Sequence, residues 1–217
     1  MPSYSIIENF EVHKNNRFLE IAEALKPELL HKEIKAEKEI MVGKDRQMRT
    51  VITEEHPIEN LYAKSLKRDD TVFVDFGDHA VGYVTLELSK TGSHQDAPVY
   101  FYLKFGERLE EMTDKTADYD GWLSRGWIQE ENIHVDVLPA KVKLPRRYSF
   151  RYMELRVIDT SAKFQLKIDG ISCDTVSAVD MESVKPVDFG DPLLNQIDLV
   201  SRKTLKECIV QNIGVAA

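Results

Sequence analysis

Residues 107–132, ERLEEMTDKTADYDGWLSRGWIQEEN, hold both tryptophans of the chain, Trp122 and Trp127, among Asp114, Asp118, Asp120, Arg125, Glu130 and Glu131. Aromatic planes stack on apolar C–H faces such as those of a sugar ring, while carboxylates and a guanidinium take hydroxyl groups. Asp118, Asp120, Trp122, Arg125 and Trp127 are therefore the candidate carbohydrate-binding residues. A structural reading stands beside this one, because tryptophan is highly buried on average and either ring can plug one end of a β-domain. Asp114, Asp118 and Asp120 also offer oxygens to a hard cation such as calcium. However, DKTADYDGW lacks the spaced acidic pattern of a calcium loop, and a solvated acidic loop explains it as well.

Other metal and nucleophile chemistry finds no support in the spacing. The six histidines form no H-x-x-x-H or H-E-x-x-H pair, and Cys173 and Cys208 form no C-x-x-C. No metal site and no cofactor are expected, and buried free thiols are the simpler account of the cysteines. Arg146, Arg147 and Arg151 can grip an anion, or pair with acidic strands while their stems cover apolar surface. A formal net charge of -8 argues against nucleic acid, which needs a concentrated basic face. MPSYSIIENF has neither the basic start nor the apolar run of a secretory signal, and no segment approaches the ~20 apolar residues of a membrane span. A cytoplasmic protein without membrane contact is expected.

The loop must be held by the elements on either side of it. TVFVDFG, VGYVTLELS, PVYFYLKFGE, NIHVDVLP, SFRYMELRVID and KFQLKIDGISC are short, rich in β-branched and aromatic residues, and bounded by Gly, Pro, Asp or Ser. Val84, Leu86 and Leu88 fall on one face, as do Val99, Phe101, Leu103 and Phe105, then Ile133, Val135 and Val137, then Phe164, Leu166 and Ile168. Such alternation with no intervening helix predicts an all-β, antiparallel β-sandwich, jelly-roll-like, with IKAEKEIMV as a further half-buried strand. The spacing of Phe18, Ile21 and Leu25 predicts a short N-terminal helix limited by Pro27. Near the other end, Asp191 is a good N-cap and Pro192 suits the first helical position. Leu193, Ile197, Val200, Thr204 and Cys208 then form a largely apolar stripe on a C-terminal helix. These signals divide the chain into an extension with a short helix (1–32), a β-sandwich domain (33–187) and a linker helix with its tail (188–217).

VDFGDHAVGYVTLEL, YLKFGERLEE, GWLSRGWIQEE, LPRRYSFRYMELRVID and DPLLNQIDLVSRKTLKEC, in that order, resemble the non-catalytic N-terminal part of α-L-rhamnosidase-like glycoside hydrolases. The resemblance runs from Val72 to Cys208. It implies a β-sandwich followed by a linker helix that leads into a helical barrel carrying the catalytic carboxylates. The tail IVQNIGVAA departs from that pattern and the barrel is absent, so the resemblance implies a truncated relative with no catalytic residue of its own. Glycoside hydrolysis needs two carboxyl groups about 5–9.5 Å apart across the sugar. The acidic pairs on offer are Glu110 with Glu111, Glu130 with Glu131, and Asp118 with Asp120; Glu130 and Glu131, adjacent on a strand, would face opposite ways, and Asp118 and Asp120 would share a face only in an extended stretch. The expected role is scaffolding or weak binding of a rhamnose-containing saccharide. Two alternatives are membership of an active rhamnosidase whose barrel lies elsewhere, and a homodimer joined through the C-terminal helix.

Overall fold

The computed structural model describes residues 15–209. The N-terminal MPSYSIIENF and all but the first residue of the IVQNIGVAA tail, read above for targeting and truncation, lie outside the described residues. Helix α1 (Asn16–Ala24) begins where the Asn15 side chain accepts from the backbone of Arg17 and Phe18, and it buries no residue. The predicted strand IKAEKEIMV is two strands, β1 (Leu30–Lys35) and β2 (Lys38–Lys44), separated at Ala36 and Glu37. Strand β3 (Thr50–Pro57) and the single-turn helix α2 (Ile58–Tyr62) follow; neither stood out in the sequence.

TVFVDFG and VGYVTLELS, two strands by their local pattern, form one: β4 (Thr71–Gly92), 22 residues long. The remaining strands are β5 (Val99–Gly106), β6 (Glu130–Val135), β7 (Ala140–Lys143), β8 (Tyr148–Asp159) and β9 (Phe164–Ser177). All nine belong to one antiparallel hydrogen-bonded sheet. Along one edge of β4 run β8 and then β7, and along the other run β2 and then β9. The register against β8 jumps from Asp75 to Ala80, where Gly77 takes a φ of 83° that a residue with a Cβ seldom adopts. At this irregularity the pairing changes, so that the first half of β4 carries β2, β8, β5 and β6, while the second carries β9, β1 and β7.

Both halves bury their apolar side chains in one shared core, which includes Val74, Leu86, Phe101, Phe150, Leu155 and Ile168. The all-β, antiparallel class indicated by the alternation is the class observed. Val137 departs from it: β6 ends at Val135, and Val137 is 71% exposed. At that point the Gln95 side chain takes over from the ladder, its amide nitrogen donating to the Val135 carbonyl and its oxygen accepting from the Leu138 N–H.

Helix α3 (Pro192–Cys208) starts as expected, with the Asp191 carboxylate accepting from the N–H groups of Leu193 and Leu194. Its orientation is the reverse of what its stripe suggests. Asn195, Asp198, Arg202 and Lys206 are half-buried, whereas Leu193, Ile197, Val200, Thr204 and Cys208 are exposed. Polar contacts fix this arrangement. Lys203 pairs with Asp78, the Ser177 hydroxyl donates to the Lys206 carbonyl at 2.9 Å, and the Ala178 N–H donates to the Ile209 carbonyl at 2.8 Å. No helix among the described residues is long and apolar enough to cross a membrane.

Candidate functional site

The aromatic and acidic loop leaves the sheet at Gly106, the last residue of β5, where a Cβ would come within 2.6 Å of the Met112 methyl group. Met112 sits on a 3-10 turn (Leu109–Met112) and buries itself with Ile40 and Tyr152 in a second, smaller apolar cluster on the outer sheet face. The Arg108 N–H donates to the Glu111 carboxylate at 3.2 Å, and Thr113 meets the Thr50 hydroxyl at 3.0 Å. Lys104, buried on β5, donates to the Asp114 carbonyl at 2.5 Å. These contacts turn the first third of the loop into a fixed wall.

Two further 3-10 turns build the rest, at Thr116–Asp118 and Arg125–Trp127. The Thr116 hydroxyl donates to the Glu130 carboxylate on β6. Arg125 reaches back from the second turn, its Nη2 donating to the carbonyls of Ala117 at 3.2 Å and Tyr119 at 3.1 Å. Ser124 caps that turn by accepting from the Gly126 N–H at 3.2 Å. The loop is thus braced by side chain to backbone bonds and has little apolar packing of its own.

A cleft of about 680 Å³ lies between loop and sheet, walled by Lys104, Glu111, Thr116, Asp118, Tyr119 and Trp127, among others. Its size falls within the roughly 300–1,000 Å³ of small-molecule sites. Of the five candidate residues, Asp118 and Trp127 line the cleft, Arg125 braces its rim, and Asp120 and Trp122 stand outside it. The tryptophans are not core plugs, being 87% (Trp122) and 71% (Trp127) exposed. Trp127 ends a 3-10 turn ahead of β6, which starts only at Glu130, so its ring lies outside the sheet.

Lys104, Thr116 and Tyr119 escaped the sequence reading, and Glu111 entered it only as half of an acidic pair with Glu110. Lys104 alone had a signal, its outward place in the β5 alternation. The electrostatics around the cleft follow from burial. Burial raises the Glu111 carboxyl above its ordinary range, and on β8 it does the same to Glu154. Burial, then the neighbouring Glu130 carboxylate, raises the Tyr102 phenol. Of the acidic residues weighed for hydrolysis, Asp118 lines the cleft, Asp120 lies off its wall, and Glu130 is engaged by Thr116. Among the described residues no group of three or more His, Cys, Asp or Glu side chains assembles a metal site. Two of the three arginines pair with acids, Arg146 with Glu131 at 2.6 Å and Arg151 with Asp75 at 2.9 Å.

One antiparallel sheet bearing an exposed aromatic loop, followed by a helix whose apolar stripe faces outward, defines the class: an all-β antiparallel domain. Residues 38–175 match the glycosyl hydrolase family 78 α-rhamnosidase N-terminal domain, and the chain belongs to that family. The solved structure of a rhamnosidase from Klebsiella oxytoca with rhamnose bound is 34% identical, with a TM-score of 0.86 over 92% of this chain. This chain spans 39% of that enzyme's length. A family 78 rhamnosidase of Bacillus sp. GL1 shares the fold at 20% identity and a TM-score of 0.51, over 67% of this chain and 14% of its own. No curated protein matches the sequence.

Proposed function

We propose that this chain is a non-catalytic β-domain of the α-L-rhamnosidase type that contacts a rhamnose-containing saccharide through the cleft beside Trp127. The observation that carries this reading is the exposure of the Trp127 ring on a cleft wall shared with Asp118 and Tyr119. A sugar ring lays its C–H face on such an indole while a carboxylate accepts from its hydroxyls. The rhamnose bound to the 34% identical Klebsiella oxytoca enzyme makes L-rhamnose the first ligand to try. Calorimetric titration of the 217-residue chain with L-rhamnose is expected to give saturable heat. Trp127→Ala should weaken the binding about tenfold or more, in line with the roughly 0.5–1.5 kcal/mol of an aromatic contact plus the lost apolar area. Trp122→Ala should have the smaller effect, since that ring stands off the cleft. Flat traces, or identical heats from wild type and Trp127→Ala, exclude the sugar reading. A cytoplasmic setting suits the two free cysteines, Cys173 and Cys208.

A second reading rests on α3, which docks through its polar side and turns Leu193, Ile197 and Val200 to solvent. An apolar stripe presented in this way is a packing surface, for the catalytic barrel of a rhamnosidase or for a second copy of the chain. On the homodimer version, the chain elutes at twice the monomer mass and Ile197→Glu with Val200→Glu returns it to monomer. Monomeric elution of both proteins removes the homodimer and leaves the scaffold role.

A further inference from the structure

On the part of the sheet carried by the second half of β4, four adjacent strands each place one polar or aromatic side chain in a row: His31 on β1, Asp174 on β9, Tyr83 on β4 and Lys143 on β7. The register sets all four on one face. Tyr83 is opposite Asp174, His31 is opposite Val176, and Lys143 is opposite Thr85, two residues along β4 from Tyr83. Residues two apart on a strand share a face, and the intervening Val84, Cys173 and Val142 turn the other way, onto the core.

The row is continuous. His31 Nδ1 lies 3.1 and 3.0 Å from the two Asp174 oxygens. Asp174 and Tyr83, directly opposite, bring their Cβ atoms to about 5 Å. The Lys143 ammonium sits over the Tyr83 ring, 5.5 Å from its centroid, and pairs with no acid among the described residues. Tyr83 packs on Val81 and Val176 of the same face, which holds its ring in place. All four side chains line a depression of about 350 Å³ that shares no residue with the Trp127 cleft. Each is open to a ligand: the side chains of His31 and Asp174 are 56% and 34% exposed, Lys143 is exposed and Tyr83 is half-buried.

We infer that this row is a second ligand site, taking one ring of a neutral saccharide, with Asp174 accepting from one hydroxyl, Lys143 donating to another and Tyr83 meeting the C–H face. Charge selects the ligand class. His31 already faces both Asp174 oxygens, so the carboxylate makes no demand for a cation, while its own charge repels the anion that Lys143 alone would draw. Glu33, opposite Asp174 on β1, stands off the lining. A hydroxyl both donates and accepts, so one uncharged group type serves the acid at one end of the row and the ammonium at the other. Between those ends the tyrosine ring offers the flat apolar surface that a C–H face needs. The volume is at the small end of the roughly 300–1,000 Å³ of small-molecule sites, suited to one monosaccharide.

Amide chemical shifts of the full chain, followed during titration with L-rhamnose, D-glucose, D-galactose and glycine in turn, test the assignment. Residues 31, 83, 143 and 174 are expected to shift saturably with at least one sugar and not with glycine, whose two opposite charges would otherwise suit the ends of the row. Asp174→Asn, which removes the charged acceptor, and Lys143→Ala, which removes the charged donor from a strand paired on one side only, should each weaken this response about tenfold or more. Unchanged shifts elsewhere in both variants show that the fold is kept. Trp127→Ala should leave the response intact. Absence of saturable shifts at the row with all three sugars, saturation by glycine alone, or a response unchanged in both row variants overturns the proposal. Because Trp127→Ala and the row variants act on different resonances, failure of the row and failure of the Trp127 cleft are read separately.

Discussion

Arg151→Met is expected to destabilise the chain by about 3 kcal/mol, because it leaves Asp75 as a buried charge without its partner. Asp75 is 2% exposed, and the guanidinium grips both its oxygens, Nε to Oδ1 and Nη2 to Oδ2, each at 2.9 Å. Asp75 Oδ1 also accepts from the Gly77 N–H at 2.8 Å, so one carboxylate ties β8 to the irregular stretch of β4. Asp75 in turn raises the Arg151 pKa, as a tightly held guanidinium requires. The figure is at the low end of the about 3–5 kcal/mol for broken buried pairs because Arg151 still reaches solvent. At about 2–4 °C per kcal/mol for a domain of this size, Tm should fall by roughly 6–12 °C in a calorimetric scan. Asp75→Asn in the same background should regain part of the loss, since the amide oxygen keeps the Gly77 bond and the buried charge is gone. If Arg151→Met melts with wild type, the pair does not hold the β4 irregularity.

Phe150→Ala should cost about 3–5 kcal/mol, the usual range for emptying a phenylalanine site in a core. Phe150 is fully buried and meets Phe76 edge-on at 4.9 Å and Phe105 at 5.0 Å between ring centroids. Those partners come from β4 and β5, so one ring joins three strands around the shared core. Strand backbones held by ladder hydrogen bonds cannot close in on the cavity, which keeps the cost high. Urea denaturation should show a lower midpoint with an unchanged slope. A loss under about 1 kcal/mol would mean that the core repacks around the gap.

These two changes strike the scaffold, whereas Trp127→Ala strikes a surface built on it. The cleft beside Trp127 abuts the small cluster on the outer sheet face, for Met112 packs with Ile40 and lies between Glu111 and Thr113 of the cleft wall.

Much of this was legible in the residues, and the reason is local. A two-residue alternation such as Val99, Phe101, Leu103 and Phe105 reports which side of a strand is buried whatever the strand pairs with, and all four are core residues. The start of α3 was equally local, since Asp191 and Pro192 act on the N–H groups of their own first turn. The family was legible too, in five ordered segments between Val72 and Cys208. What depends on distant partners was not. Local pattern split β4 in two, because Gly77 and Asp78 look like a turn until β8 and β9 are seen to pair on either side of them. It left Trp127 poised between plug and platform, since its exposure depends on Arg125 and Thr116 bracing the loop outward. The stripe on α3 was plain in the sequence, yet only Asp78 and Ser177, more than twenty residues away, turn that stripe to solvent.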